Sequence, residues 1–295
     1  MITVMGATGQ TGGAIARRLL DAGKQVLALG RSETKLDELR RAGAEAIAGD
    51  MTDPAFLAGA FTGADAVYTL LPFDPTVTNL EVSQRLVGEA TVQAVRAAGV
   101  RYVVALSGVG ADLPTSPVFI ANLRDQEQRL RGLVGTNVLI LRPVAFFEGF
   151  YAVLDVVKQH GVNGDIVAPH VQRPMIAVQD LADVAATALI ARNWHDVVVR
   201  ELLGERDLSY AEVTRIIGQR IGRPDLPYVQ LPEADMVQSL GQAGFSAGVA
   251  SDYVAFSRAF SAGNLTNHVD RTPENTTPTR FEDFATDWAI AYAAG

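Results

Sequence analysis

The sequence predicts an α/β fold: a doubly wound parallel sheet joined to a smaller, mostly helical C-terminal lobe. Three observations carry this. Short apolar runs rich in Val, Leu and Ile recur at residues 2–5, 25–29, 44–48, 66–71, 102–106 and 138–141, as strands covered on both faces require. Segments with helical spacing fill the gaps, at 11–22, 33–42, 54–60, 79–98 and 118–134. Such alternation builds a parallel sheet through right-handed crossovers. The first run also leads straight into a glycine-rich turn, Gly6-Ala7-Thr8-Gly9-Gln10-Thr11-Gly12-Gly13, and then into a helical segment.

Strand, tight glycine turn and helix together are the layout of a dinucleotide-binding Rossmann unit. Gly6 lets the chain leave the strand sharply, Gly9 lets backbone approach a pyrophosphate, and Gly12 lets the helix pack close to the sheet. The amides and positive dipole end of that helix then face the phosphates. Thr8, Gln10 and Thr11 add polar groups to the same rim.

Ligands bind at the carboxyl ends of the strands in such sheets, so the loops after each strand carry the functional reading. After the second strand stands Arg31, where an NAD-specific site usually has an acid. A guanidinium there suits a ribose 2′-phosphate, which predicts NADP(H) in preference to NAD(H); a plain surface arginine is the alternative. After the third strand, Asp50 is placed to accept from an adenine amino group and Met51 to cover the ring, while Asp53 before Pro54 caps a helix. Leu71 and Pro72 leave the fourth strand towards the nicotinamide side, followed by Phe73. Ser107 ends the fifth, where a hydroxyl meets a substrate oxygen and is the candidate catalytic group. Pro143, Phe146 and Phe147 follow the sixth. Phe146 is assigned to the cofactor and Phe73, Phe147 and Met175 to the walls of a substrate cleft; for the two adjacent phenylalanines, core packing is the equal alternative.

Composition narrows the function class. With 48% hydrophobic residues in 295, the chain buries a substantial core. A net charge of −8 without a strong Lys/Arg cluster argues against a nucleic-acid surface. No cysteine removes disulfides, thiol nucleophiles and Cys-bound metals, and His160, His170, His195 and His268 have no short ligand spacing, so no metal is expected. With no targeting segment or membrane-length apolar run, the expected location is cytoplasmic.

Residues 1–150 are read as the NAD(P)-binding domain, to which 176–203 returns, and 151–295 as a substrate or partner lobe. Residues 151–174 read as irregular and 241–278 resist placement. Ser209-x-x-Glu212 and Thr279-x-x-Glu282 read as capping boxes opening two helices.

The glycine turn, Arg31, Gly49-Asp50, Leu70-Leu71-Pro72, Ser107 and Leu141-Arg142-Pro143 together resemble the NmrA-like branch of the atypical short-chain dehydrogenases. Leu203-Gly204-Glu205 with Leu208-Ser209-Tyr210, and Arg271-Thr272-Pro273 near the end, extend the resemblance over nearly the whole chain. It implies NADP(H) binding and either reduction of quinones, azo compounds or dyes, or redox sensing without turnover through a regulatory protein partner. The Tyr-x-x-x-Lys pair of active short-chain dehydrogenases is replaced by Ile120 and Arg124, so tyrosine-driven carbonyl chemistry is not expected. Glu127 is read either as a surface ion pair with Arg124 or Arg131, or as a charge pair at the cofactor's edge. The leading expectation is an NADPH-dependent oxidoreductase passing hydride to a small, flat, conjugated acceptor; oligomeric state is left open.

Overall fold

A computed structural model describes residues 1–294. Each apolar run of the first half becomes a strand: β1 (Ile2–Val4), β2 (Val26–Gly30), β3 (Glu45–Ala48), β4 (Ala66–Thr69), β5 (Tyr102–Leu106) and β6 (Asn137–Pro143). Between them run α1 (Gln10–Asp21), α2 (Glu33–Arg41), α3 (Pro54–Phe61), α4 (Leu80–Ala98) and α5 (Val118–Arg131). The caps have local causes. Ser32, Asp53 and Asn79 accept backbone amides at the starts of α2, α3 and α4, and Gly99 at φ +64° ends α4. The fifth helix ends at Arg131, short of the predicted 134, because Gly132 follows it, and Val134 is left 98% exposed.

The chain continues through β7 (Ala145–Phe146), a 3₁₀ segment (Phe147–Val153), α6 (Leu154–His160), β8 (Asn163–Asp165), β9 (Arg173–Ile176), α7 (Val178–Ala191) and β10 (Val197–Leu202). Beyond these lie β11 (Asp207–Leu208), α8 (Tyr210–Arg220), β12 (Tyr228–Gln230), α9 (Glu233–Gln242), α10 (Ala247–Ala262) and α11 (Phe281–Ala294). The main sheet is parallel throughout, in the order β3-β2-β1-β4-β5-β6-β10. Strand order reverses between β1 and β4, and the glycine turn after β1 stands at that crevice. β10 adds to β6 with Val197 opposite Val138, which returns this part of the chain to the sheet.

One sheet face packs against α1, α2 and α7 through Ile15, Leu19, Leu36, Leu181 and Leu189. The other packs against α3, α4 and α5 through Leu57, Phe61, Val87, Val95 and Leu130. A third core gathers Phe147, Phe150, Val213, Ile217, Phe281 and Trp288. Its Trp288 indole donates to the Phe150 carbonyl at 2.9 Å.

Three expectations for the second half need correction. Residues 151–174 are not wholly irregular, since α6 and β8 lie inside them. The segment 241–278 contains the 16-residue helix α10, capped by Ser246, whose hydroxyl accepts from Val249 N. Ser209 caps α8 as expected, but the Thr279 hydroxyl donates to Asp180 on α7 and so is turned away from its own helix.

The start of α7 also receives Glu148, whose two carboxylate oxygens each lie 3.0 Å from Val178 N. Burial, with Asp180 adding like charge, pushes Glu148 up to about 7 from an ordinary 4.5. Folded Glu148 therefore holds its proton more tightly than the unfolded chain does. Its contribution to stability is complete below about pH 4.5 and is lost as pH rises through about 7. In thermal melts from about pH 5 to about pH 8, wild type should lose ground steadily to Glu148→Gln, which keeps an acceptor without the charge. Parallel pH profiles for the two proteins would contradict this assignment.

Candidate functional site

The site begins with backbone geometry. Gly6 has φ +63°, a left-handed conformation that suits glycine, and a Cβ there would meet Leu70 Cδ2 at 2.8 Å. A Cβ on Gly12 would lie 2.4 Å from the Gly6 carbonyl oxygen and 2.7 Å from that of Met5. A side chain at Gly12 therefore cannot coexist with this approach of α1 to β1. Gly9 is the N-cap of α1 and has no side chain to offer the amides of Gln10, Thr11 and Gly12, which stay available for a ligand. Thr8 packs over the end of β2, where a Cβ on Gly30 would fall 2.6 Å from its methyl carbon. These features fit a dinucleotide diphosphate: open amides, a dipole end and a backbone stripped of side chains.

The flanking loops depart from expectation in places. Arg31 reaches Asp74, on the loop after β4, at 2.8 Å. An acid from another loop thus faces the guanidinium. Arg31, with the hydroxyl and amide of Thr76, holds Asp74 well below its ordinary range, at about 2. One Asp50 oxygen accepts from the Thr52 amide and hydroxyl, both at 2.8 Å, and these bonds lower its pKa. Met51 is buried in the core with Leu29 and Leu57. Asp53 caps α3 through Ala55 N at 2.8 Å.

A cavity of about 450 Å³ opens from Gln10 at the glycine turn and runs between the sheet and the C-terminal helices. Leu71, Ser107, Pro143 and Phe146, at or just past the carboxyl ends of β4, β5 and β6, line it, together with Phe73, Phe119, Phe256 and Met175. Phe73 is tilted against Phe119 and Phe245, with ring centroids 5.4 and 6.0 Å away. The Pro72 carbonyl accepts from Gln84, and Gln84 in turn accepts from Asn122, which holds this exit loop in place. Phe147 is not a wall of the cavity. It is 1% exposed, edge-on to Phe281 at 5.0 Å, because the 3₁₀ segment turns it into the third core.

Ser107 lines the cavity, but its hydroxyl donates to Glu127 Oε1 at 2.6 Å. Its proton is therefore not free for a substrate oxygen in this arrangement. Glu127 is not on a solvated face: it is buried and takes both Nε and a terminal nitrogen of Arg142, at 2.8 and 2.7 Å. Arg131 only grazes it at 3.5 Å, and Arg124 instead holds the carbonyls of Leu113 and Pro114. The folded chain also brings Asp112, Glu201 and His268 together, with ligand atoms within 4.8 Å of one another. Arg142 lies 3.3 Å from Asp112 and 3.9 Å from Glu201, so a guanidinium already supplies the positive charge there.

Sequence reasoning missed the far wall of the cavity, made by Asn163, Asp165, Tyr210, Tyr253, Phe256 and Phe260. The helical spacing of Tyr253, Phe256 and Phe260 was a usable signal for part of it.

The NAD(P)H-binding family matches residues 6–192, which spans the glycine turn and runs through α7. The chain belongs to that family. Within it, the chain is an NmrA-like atypical short-chain dehydrogenase. It is 28% identical to the NAD(P)H azoreductase of Xenophilus azovorans over 298 residues, with full coverage of both chains. It is 30% identical to the (4-alkanoyl-5-oxo-2,5-dihydrofuran-3-yl)methyl phosphate reductase of Streptomyces griseus, covering 99% of each. The NADP(H) complex of the Citrobacter sp. triphenylmethane reductase superposes with a TM-score of 0.82 at 20% identity, covering 98% of this chain and 100% of that one. No helix among the described residues is long and apolar enough to cross a membrane.

The buried pair beneath Ser107 generates a stability prediction. Arg142→Met leaves Glu127 buried without its partner and should cost about 3–5 kcal/mol in urea unfolding. The double variant Glu127→Gln/Arg142→Met should recover much of that loss. A loss for Arg142→Met under about 1 kcal/mol would show that the pair contributes as little as a surface bridge.

Proposed function

We propose that this NmrA-like protein is an NADPH-dependent reductase of small, flat, conjugated acceptors of the azo, quinone or dye type. The observation that carries this is the cavity leaving the glycine turn: its walls are mostly aromatic and aliphatic, and no Lys, Arg or His lines it among the described residues. The azo and triphenylmethane reductases among the relatives support the same acceptor class.

The bound nicotinamide supplies hydride; the chain supplies position and dryness. Gln10, Thr11 and Gly12 amides hold the diphosphate, and Leu71, Pro143 and Phe146 back the nicotinamide side. Phe73, Phe119 and Phe256 hold a flat acceptor at attack distance and exclude water. Conjugated acceptors spread the negative charge that hydride brings, so strong acid catalysis is unnecessary. Ile120 lines the cavity at the tyrosine position of the active short-chain dehydrogenases. With the Ser107 proton held by Glu127, the proton that neutralises the reduced anion comes from water.

Steady-state NADPH oxidation with a panel of quinones, azo dyes and simple carbonyls tests the assignment. Turnover of the conjugated members and not of the carbonyls is expected. Tight NADPH binding with no oxidation of any acceptor would overturn it and point to the redox-sensing branch of the family.

NADPH preference over NADH follows from Arg31, which meets the 2′-phosphate by exchanging Asp74 for it. Arg31→Ala should weaken NADPH by about tenfold or more while changing NADH little. Asp74→Asn, which removes a negative charge beside that phosphate, should tighten NADPH by a few-fold. Equal losses for both cofactors in Arg31→Ala would remove the arginine from the cofactor site.

A further inference from the structure

The far end of the cavity is chemically unlike the rest. Among apolar walls it presents two residues of one strand, Asn163 and Asp165 on β8, which share a face because side chains alternate along a strand.

Asn163 is 1% exposed, and its Oδ1 has no hydrogen-bond partner. The orientation of its amide is determined by its neighbours. The Thr214 hydroxyl spends its proton on the Tyr210 carbonyl at 2.7 Å. Only a lone pair is then left for Asn163, whose Nδ2 donates to it at 2.8 Å. The amide nitrogen is thereby committed away and the bare oxygen is left over. A buried acceptor without a donor is costly unless something arrives to satisfy it.

Asp165 accepts from Val167 N at 3.1 Å through Oδ1. It is the only charged side chain of either sign lining the cavity among the described residues. Burial raises it to about 6, partly offset by the Val167 amide, so it is still largely a carboxylate at neutral pH. Aromatic rings of Tyr210, Tyr253 and Phe260 line the same cavity.

Two acceptors, one of them ionised, in an aromatic-lined cavity call for a ligand group with two donors. A hydroxyl has one O–H to give, whereas a primary amine has two N–H groups. We infer that Asn163 and Asp165 form a subsite for an amino group, carried by the acceptor at the end remote from the transferred hydride. This rests on reading the cavity as the acceptor site and narrows the substrate class from conjugated acceptors to those bearing an aryl amine. The subsite fixes which end of the acceptor enters first, and so which atom meets the nicotinamide.

The experiment compares 4-aminoazobenzene with 4-methylazobenzene, nearly equal in shape, binding to protein saturated with NADP⁺ and followed by tryptophan fluorescence or calorimetry. Oxidised cofactor keeps binding separate from turnover. Wild type should bind the amine about tenfold or more tightly than the methyl compound, as a charge-assisted hydrogen bond implies. That ratio should drop by at least about fivefold in Asp165→Asn and in Asn163→Leu. Equal affinity of wild type for the two compounds would overturn the subsite, and so would a preference that persists in both variants. Because the wild-type comparison needs no substitution, poor folding of Asp165→Asn leaves the test intact. Failure here with NADPH oxidation retained would remove the subsite alone. An amine preference without NADPH oxidation would instead keep the subsite and remove the reductase reading.

Discussion

The constraint on which the molecule depends is the distance between α1 and β1. At Gly12 the helix backbone comes so near the strand that a single added carbon would fall 2.4 Å from the Gly6 carbonyl oxygen. Only this approach aims the first amides of α1 along the crevice where strand order reverses. The left-handed Gly6, lying against Leu70, links the same turn to the exit of β4. From that exit run Pro72, Phe73 and Asp74, which reach the cavity and Arg31. One close contact thus sets the phosphate cradle and both flanks of the site.

Two buried polar groupings near the cavity illustrate opposite outcomes of the same physics. Glu127 and Arg142 meet through two short bonds, with Ser107 and Asp112 completing their surroundings, so the network is closed and acts as structure. Asn163 and Asp165 are comparably enclosed, yet the Asn163 Oδ1 acceptor is left without a partner and both residues line the cavity. A satisfied buried ion pair pins α5 to β6, whereas an unsatisfied buried acceptor awaits a partner from outside the chain. Their contrast separates the supporting wall of the cavity from its recognising wall.

Much of this was legible in the sequence because the first half follows local rules. Strand runs are short and apolar, caps are Ser, Asp and Asn, and the glycine spacing is dictated by backbone contacts one turn away. The return of the chain through α7 to β10 was legible for the same reason. What escaped was non-local. The partner of Arg31 stands on a loop two strands later in the sequence, so no reading of the β2 exit could reveal Asp74. Phe146 and Phe147 are neighbours with equal chemistry, and only the 3₁₀ segment decides that one faces the cavity and the other the core. The reading of Glu127 as a surface ion pair with Arg124 or Arg131 missed its partner, which lies on β6 rather than on its own helix. Asn163 and Asp165 sit on a three-residue strand in a Gly- and Pro-rich stretch, too short to leave a periodic trace.

The central claim is that the α1 amides, exposed by the closeness of Gly12 to β1, hold a dinucleotide diphosphate. Calorimetric titration of wild type and Gly12→Val with NADPH tests it most directly, with circular dichroism confirming that both chains are folded. The account predicts one site per wild-type chain and an affinity at least about a hundredfold weaker in the variant, since a displaced helix end withdraws several charge-assisted hydrogen bonds together. Undiminished binding by folded Gly12→Val, or no binding by wild type, would contradict it.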